Sequence, residues 1–430
     1  MAIEPRTLEP PTRLARRLGL ADAVVVGLGA MVGAGVFAAF APAAEVAGAG
    51  LLLGLVVAGA VAVCNALASA ELAAVYPRSG GTYVYGRERL GPFFGYLAGF
   101  GFVAGKVASL TAMALTFGTY AAPGLARPLA AAAVVALTFV NVLGLGKTAA
   151  LTRVLVAAVV AVLAFVVGAS LLGGDPEPAR LTPLWPESGL RGVLASAGFL
   201  FFAFAGYARV ATLGEEVRDP ERTIPRAVVL ALALTLLLYA AVAVSLLLVL
   251  GPEGVAATSA PLARAVEAAG SGDLEPLVRV GAALASLSVL VSLLAGVSRT
   301  VFAMADDGYL PRRLAAVHPR RRSPYAAELA VGAAVVAVVA LADLRGAIGF
   351  SSVTVLVYYA IANAAALTLP PGRRRWPRLV PAAGVAGCLA LALSLPGSTV
   401  LAGLGVLALG AAWYALLELR RRRREAREPG

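Results

Sequence analysis

Apolar stretches of about 20 residues, most of them free of charge, follow one another along nearly the whole chain. Nothing else constrains the fold as strongly. In hydrocarbon every backbone N–H and C=O needs a partner within the protein, so such runs cross a bilayer as helices. A β-barrel would show short alternating strands instead. Of the 430 residues 60% are hydrophobic and 14% charged, a balance that no soluble domain of this size requires. The reading is an all-α polytopic membrane protein with about 12 transmembrane helices. They centre near Met31, Val61, Ala108, Val135, Val160, Leu200, Leu238, Leu290, Val335, Leu356, Ala386 and Leu407.

The formal net charge of +12 does not point to nucleic acid. The excess sits in short loops beside the spans, where basic residues set topology. Arg13, Arg16 and Arg17 precede span 1. Arg78, Arg87 and Arg89 follow span 2, Lys147 and Arg153 span 4, and Arg218, Arg222 and Arg226 span 6. Arg312, Arg313, Arg320, Arg321 and Arg322 follow span 8, and Arg373, Arg374, Arg375 and Arg378 span 10. The alternate loops hold Asp175, Glu177, Glu253, Asp273 and Glu275. This asymmetry predicts a multi-pass protein of the cytoplasmic membrane with both termini cytosolic. One outer loop carries a short amphipathic helix, PLARAVEAA, an expected linker or lid. Cys64 and Cys388 lie within spans and suggest neither a disulfide framework nor a metal site. No cofactor is implied.

The glycines of span 1 are out of place. GLGAMVGAGVF puts Gly27, Gly29, Gly33 and Gly35 at mid-membrane, although Gly costs about 1 kcal/mol against Ala inside a helix. Either another helix packs very closely there, or the helix breaks. Span 6 repeats the anomaly in FFAFAGY, with Gly206 at its centre. Two interrupted centres five spans apart are the sequence sign of inverted repeats around a midplane site.

These segments resemble the amino acid–polyamine–organocation transporters. GAMVGAGVF is similar to that family's unwound first helix, and SAELAAVYPRSGGTYVY to the end of its second. FFAFAGY with GEEVRDPERTIPRA resembles the sixth helix and its loop, SRTVFAMADDGYLPRRLAAVHPRRRSPYAA the eighth, and VLVYYAIANAAAL the tenth. The resemblance covers Leu20 to Leu369. It implies a five-plus-five inverted repeat with broken helices 1 and 6: residues 1–19 a cytosolic N-terminal segment, 20–173 the first five-helix repeat, 192–369 the second, 378–418 helices 11 and 12, and 419–430 a basic cytosolic tail. It also implies secondary active transport of amino acids by alternating access.

An amino acid at the bilayer centre needs donors for its carboxylate and acceptors for its ammonium, and side-chain charges are expensive there. A broken helix offers backbone groups and half-helix dipoles instead. On this reading the amides around Gly33, Ala34 and Gly35 take the carboxylate. Carbonyls around Met31 and Val32, and around Phe202, Ala203, Phe204 and Ala205, take the ammonium. Phe204 and Tyr207 serve as gate or pocket walls. Gly35→Leu is expected to fill the carboxylate niche and leave the protein folded. The span acids Asp22, Glu45 and Glu71 are not central, which favours neutral L-amino acids; Glu71 is expected to tie helix ends together, and Asn141 and Asn363 to bond neighbouring helices. Glu215, Glu216, Asp219 and Glu221 are expected to pair with nearby arginines. His318, the single histidine, reads as a loop residue.

Coupling departs from the family. The lysine that proton-coupled relatives carry in helix 5 falls near Val160. Of the helix 8 hydroxyls that could hold sodium, Ser286, Ser288 and Ser292 are candidates, with Val289 at an often polar place. Ala208 and Arg209 stand where relatives often have an acid, and Asp306 where many have a base. Lys106 is the only charge between Arg89 and Arg127, near the middle of span 3. An ammonium at that depth is costly, and lysine can escape by releasing its proton. Lys106 is therefore expected to take part in coupling or gating, with a packing role as the alternative and protons as one coupling partner. An exchanger or a polyamine or organic-cation carrier is a second transport reading. An intramembrane enzyme lacks acid–base equipment in the spans, and a non-transporting sensor lacks a soluble signalling domain.

Overall fold

Sixteen helices account for almost all of the described chain, because each apolar run must satisfy its own backbone. The computed structural model describes residues 18–76, 80–144, 149–207, 217–319 and 323–425. Arg13, Arg16, Arg17, Arg78, Lys147, Ala208, Arg209, Glu215, Glu216, Arg320, Arg321 and Arg322 lie outside the described residues, as do most of the N-terminal segment and the end of the basic tail. The first span divides into α1 (Leu20–Met31), α2 (Ala34–Ala38) and α3 (Phe40–Ala47). Then come α4 (Leu51–Val75), α5 (Thr82–Leu90), α6 (Pro92–Ala121), α7 (Ala126–Val142), α8 (Ala149–Leu172) and α9 (Gly189–Phe204). The remainder is α10 (Pro220–Ala256), α11 (Pro261–Ala268), α12 (Glu275–Asp306), α13 (Tyr325–Leu341), α14 (Leu344–Leu367), α15 (Leu379–Ser394) and α16 (Gly397–Glu425).

Nine helical stretches among the described residues are long and apolar enough to cross a membrane, and three shorter apolar helices, Gly189–Phe204, Tyr325–Leu341 and Leu379–Ser394, accompany them. The sequence expectation of an all-α polytopic membrane protein holds. The only β pairing among the described residues is an isolated parallel bridge between Leu18 and Val217.

Chain reversals fall where the residue types require them. Gly91 takes φ 104 between α5 and α6, a conformation that L side chains rarely adopt, and Pro92 starts α6. Gly251, at φ 69, kinks α10 next to Pro252.

α6 lies at the centre, packed against α12, α14, α7, α5 and α16. Small residues let the backbones close up. Gly105 of α6 faces the Thr354 and Val355 side chains, and Gly332 of α13 faces Thr138 of α7. Interhelical hydrogen bonds add register. Ser109 and Ser351 share one at 2.6 Å, and Asn141 Nδ2 donates to the Val291 carbonyl at 3.1 Å. Asn363 Nδ2 donates to Asn65 Oδ1 at 2.7 Å. Asn141 and Asn363 thus bond neighbouring helices, as expected from sequence.

Charged groups close the two ends of the bundle. At the end carrying α5, the Asp307 carboxylate accepts from the Tyr83 hydroxyl and pairs with Arg87 at 3.0 Å. Arg421 of α16 donates to the Asp307 carbonyl at 3.2 Å and lies over the Tyr309 ring. Burial, and the carboxylate beside it, push the Tyr83 phenol above its usual range. At the opposite end Glu45 pairs with Arg345, joining the end of α3 to the start of α14. There α11 turns Leu262 and Val266 inward. The ring of His318 packs edge-on to Tyr325. Asp219 is the one non-glycine residue with positive φ among the described residues and precedes α10.

Glu71 does tie chain segments together. Its buried carboxylate accepts from the backbone amide of Arg375 and, at 3.4 Å, from that of Trp376. Glu71→Ala leaves both amides without that acceptor. It is expected to lower unfolding stability by about 1–3 kcal/mol, with Glu71→Gln, which keeps an acceptor oxygen, falling between. Thermal melting of the detergent-purified proteins measures this; a Glu71→Ala protein that melts with wild type removes the role.

Candidate functional site

Two helices stop inside the bundle. α1 ends at Met31, Val32 leaves helical geometry at φ −76 and ψ 75, Gly33 follows at φ −131 and ψ −147, and α2 starts at Ala34. α9 ends at Phe204, and Ala205–Tyr207 form a turn. That turn is held by long hydrogen bonds, Ala205 N to Phe202 O at 3.4 Å and Tyr207 N to Phe204 O at 3.3 Å.

The breaks lie against each other. A Cβ on Gly35 would come within 2.5 Å of Ala203 Cα, so α2 and α9 touch backbone to backbone. A Cβ on Gly206 would run into the Ala30 carbonyl. Gly33 faces Val289 of α12, whose Cγ2 would be 2.5 Å from an added Cβ. Both explanations of the glycines therefore hold at once. The chain breaks around Gly33 and Gly206, and Gly35 permits a close helix contact.

Every residue from Met31 to Phe40 is buried. The first-turn amides of α2, those of Ala34, Gly35 and Val36, have no acceptor within the helix. The carbonyls are partly taken. Tyr239 of α10 donates its hydroxyl to Met31 O at 2.8 Å and lies 3.2 Å from Ala203 O. Met31 O also accepts from Gly33 N at 2.8 Å. Sequence reasoning missed Tyr239. Nothing in a tyrosine within an apolar run marks it; only the crossing of α10 over both breaks does so.

The other expected residues separate into groups. Met31, Val32, Gly33, Ala34, Gly35, Phe202, Ala203, Ala205 and Tyr207 gather around the two breaks. Phe204 faces α10 instead, its ring 5.3 Å from that of Tyr239, which makes it a packing residue between helices. The Tyr207 ring lies 5.1 Å from that of Tyr359 of α14, tilted by 35°. On α12, Ser286 is fully buried, whereas Ser292 is exposed and bonds its own helix at Ser288 O, 3.2 Å away. Val289 and the backbone carbonyl of Ala285, on the same helix, face Gly33.

Lys106 is 7% exposed and makes no ion pair with another described residue. Its ammonium lies 5.9 Å from the centre of the Phe102 ring, within cation–π range. Lys106, Met113 and Tyr120 recur at seven-residue spacing and share one stripe of α6. Tyr120 on that stripe touches α2: its hydroxyl donates to Phe37 O at 3.0 Å and the two rings meet at 5.6 Å. The stripe carrying Lys106 therefore faces the side of α6 on which the broken helix lies. The acids are elsewhere. Asp22 pairs with Arg153 of α8 at 2.8 Å, Glu45 with Arg345, and Glu71 with backbone amides.

A helical bundle of membrane-crossing length, with two helices broken side by side in its interior, defines a polytopic α-helical membrane protein. The model of the amino acid permease family matches residues 22–396. The chain belongs to the amino acid permease family, whose members are transporters. It is 58% identical over 428 residues to an uncharacterized transporter of Mycobacterium tuberculosis, covering 100% of this chain and 97% of that one. It is 26% identical to a branched-chain amino acid permease of Bacillus subtilis, over 94% of this chain and 93% of the relative. It is 27% identical to a chloroplastic cationic amino acid transporter of Arabidopsis thaliana, over 82% of this chain and 65% of the relative.

The Gly35 contact changes one expectation from sequence. Its neighbour is backbone, which cannot move aside, so Gly35→Leu is not a silent plug. Even Gly35→Ala must push α2 off α9 and is expected to cost about 1–3 kcal/mol of stability. Melting of purified Gly35→Ala against wild type checks this, and an unchanged melting temperature would contradict the packing described.

Proposed function

We propose that the protein is a secondary active transporter that moves neutral L-amino acids across the cytoplasmic membrane by alternating access. One observation carries the reading: two broken helices cross in the buried centre, with Gly35 against Ala203 and Gly206 against Ala30. Such breaks present backbone donors and acceptors in a place where charged side chains are expensive. The substrate carboxylate meets the amides at the start of α2, around Gly33–Gly35. Its ammonium meets carbonyls of Met31 and Val32 and of Phe202 to Ala205, in competition with the Tyr239 hydroxyl. Since Met31–Phe40 are all buried and Ala205 and Gly206 are half-buried, substrate access requires α1–α2 and α9 to shift. The residues 20–173 and 192–369 then act as the two repeats that rock about the site.

Neutral substrates are favoured because Asp22, Glu45 and Glu71 each have partners away from the breaks. The Bacillus relative, a branched-chain amino acid permease, agrees; the Arabidopsis relative, a cationic amino acid transporter, is the reason to keep a cationic substrate as the second reading. The arginine-rich loops support cytosolic termini. Proton coupling through Lys106 is favoured by its burial without a carboxylate partner among the described residues, on the α6 stripe that also touches α2.

Uptake of radiolabelled amino acids into proteoliposomes, with proton and sodium gradients imposed separately, is the test. Leucine, alanine or serine should outcompete lysine and arginine at least about tenfold, the equivalent of 1.4 kcal/mol; the reverse order sinks the neutral reading. Lys106→Met, which keeps length and removes charge, should lose stimulation by an inward proton gradient and retain exchange. Full gradient sensitivity in that variant would place coupling elsewhere.

A further inference from the structure

A polar cluster lies buried between α4, α14, α15 and the broken end of α9. Asn363 Nδ2 donates to Asn65 Oδ1 at 2.7 Å and to the Tyr359 carbonyl at 2.9 Å. Cys388 Sγ donates to the same Asn65 Oδ1 at 3.2 Å. These bonds determine the orientation of both amides. A backbone carbonyl only accepts, so the Asn363 nitrogen must face Tyr359 and its Oδ1 is left over. Asn65 Oδ1 is already used by two donors, so its Nδ2 is left over.

The leftover groups are complementary. Asn65 Nδ2, Asn363 Oδ1 and the Tyr207 hydroxyl are buried without a hydrogen-bond partner among the described residues. They are one donor, one acceptor and one group that does both. The Tyr207 hydroxyl faces Asn65 and Tyr359, and the Tyr207 and Tyr359 rings lie 5.1 Å apart at a 35° tilt. Buried polar groups in an apolar interior are costly when unpaired. The Tyr207 hydroxyl can accept from Asn65 Nδ2, whereas Asn363 Oδ1 lies against Gly384 of α15. The movement needed is local, and the turn that carries Tyr207 is held only by bonds of 3.3 and 3.4 Å.

We propose that Asn65, oriented by Asn363 and Cys388, is a docking site for the Tyr207 hydroxyl, and that docking sets the position of Tyr207 at the substrate site. Asn65 and Asn363 are positioning residues. They act on the substrate through Tyr207, which follows Gly206 directly in the break. The docked and undocked positions of Tyr207 form a two-state element at the point where α9 must shift. The inference rests on the transport reading above.

The test is a double-mutant cycle of Tyr207→Phe, Asn65→Leu and the pair, with two readouts on full-length protein. Uptake KM for leucine and alanine in proteoliposomes should rise roughly fivefold in each single variant, and no further in the double. Vmax should change less than KM, since docking positions the binding wall. Melting temperatures of the four purified proteins should show the same non-additivity. Effects on KM that multiply, or a Tyr207→Phe protein with wild-type KM, overturn the proposal. If Asn65→Leu does not fold, Asn363→Ser replaces it in the cycle with the same expected and contrary outcomes. Wild type that takes up no amino acid overturns the transport reading, whereas independent melting effects overturn the docking itself.

Discussion

A helix broken inside hydrocarbon leaves backbone groups that water cannot reach, and satisfying them governs the rest of this structure. Here the two breaks are set against each other. Gly206 lies on the Ala30 carbonyl, and Gly35 lies on Ala203. A single hydroxyl, that of Tyr239, reaches Met31 O and comes within 3.2 Å of Ala203 O. α10 thus bridges the last turn of α1 and that of α9. The conformational cost of glycine is offset by contacts that no larger residue permits.

Around this crossing the remaining helices supply a frame. α6 and α14 close on each other through Gly105 and Thr354, and through the Ser109–Ser351 hydrogen bond. α12 brings Val289 to Gly33. At the ends, charge does the joining: Asp307 gathers Tyr83, Arg87 and Arg421 at one, and Glu45 meets Arg345 at the other. Among the described residues Asp22, Glu45 and Glu71 have their partners away from the crossing, and Lys106 is the buried charge on the stripe facing it.

The aromatic residues show why burial alone does not define a role. Phe204 and Tyr207 stand three residues apart across the same break. Phe204 packs on Tyr239 of α10, and Tyr207 on Tyr359 of α14. The turn between them rotates the chain, so one ring serves the scaffold and the other sits beside a polar cluster. Family membership, over residues 22–396, explains the arrangement of spans. The pairing of Asn65 with Asn363 joins α4 to α14.

The sequence by itself determined the membrane-spanning helical class, because long charge-free runs admit no other way to pair a backbone in lipid. Its clustered glycines in spans 1 and 6, together with the family resemblance, pointed to breaks there, although glycines such as Gly105 lie within unbroken helices. It marked Glu71, Asn141 and Asn363 as residues that join helices, because polar groups in apolar runs need partners. Only the tertiary structure decided what those partners are: backbone amides of Arg375 and Trp376, the Val291 carbonyl, and Asn65. Only the fold revealed that Gly35 serves close packing and that Tyr239 attaches to the breaks. These depend on which helix faces meet, and local periodicity gives a face without naming its neighbour.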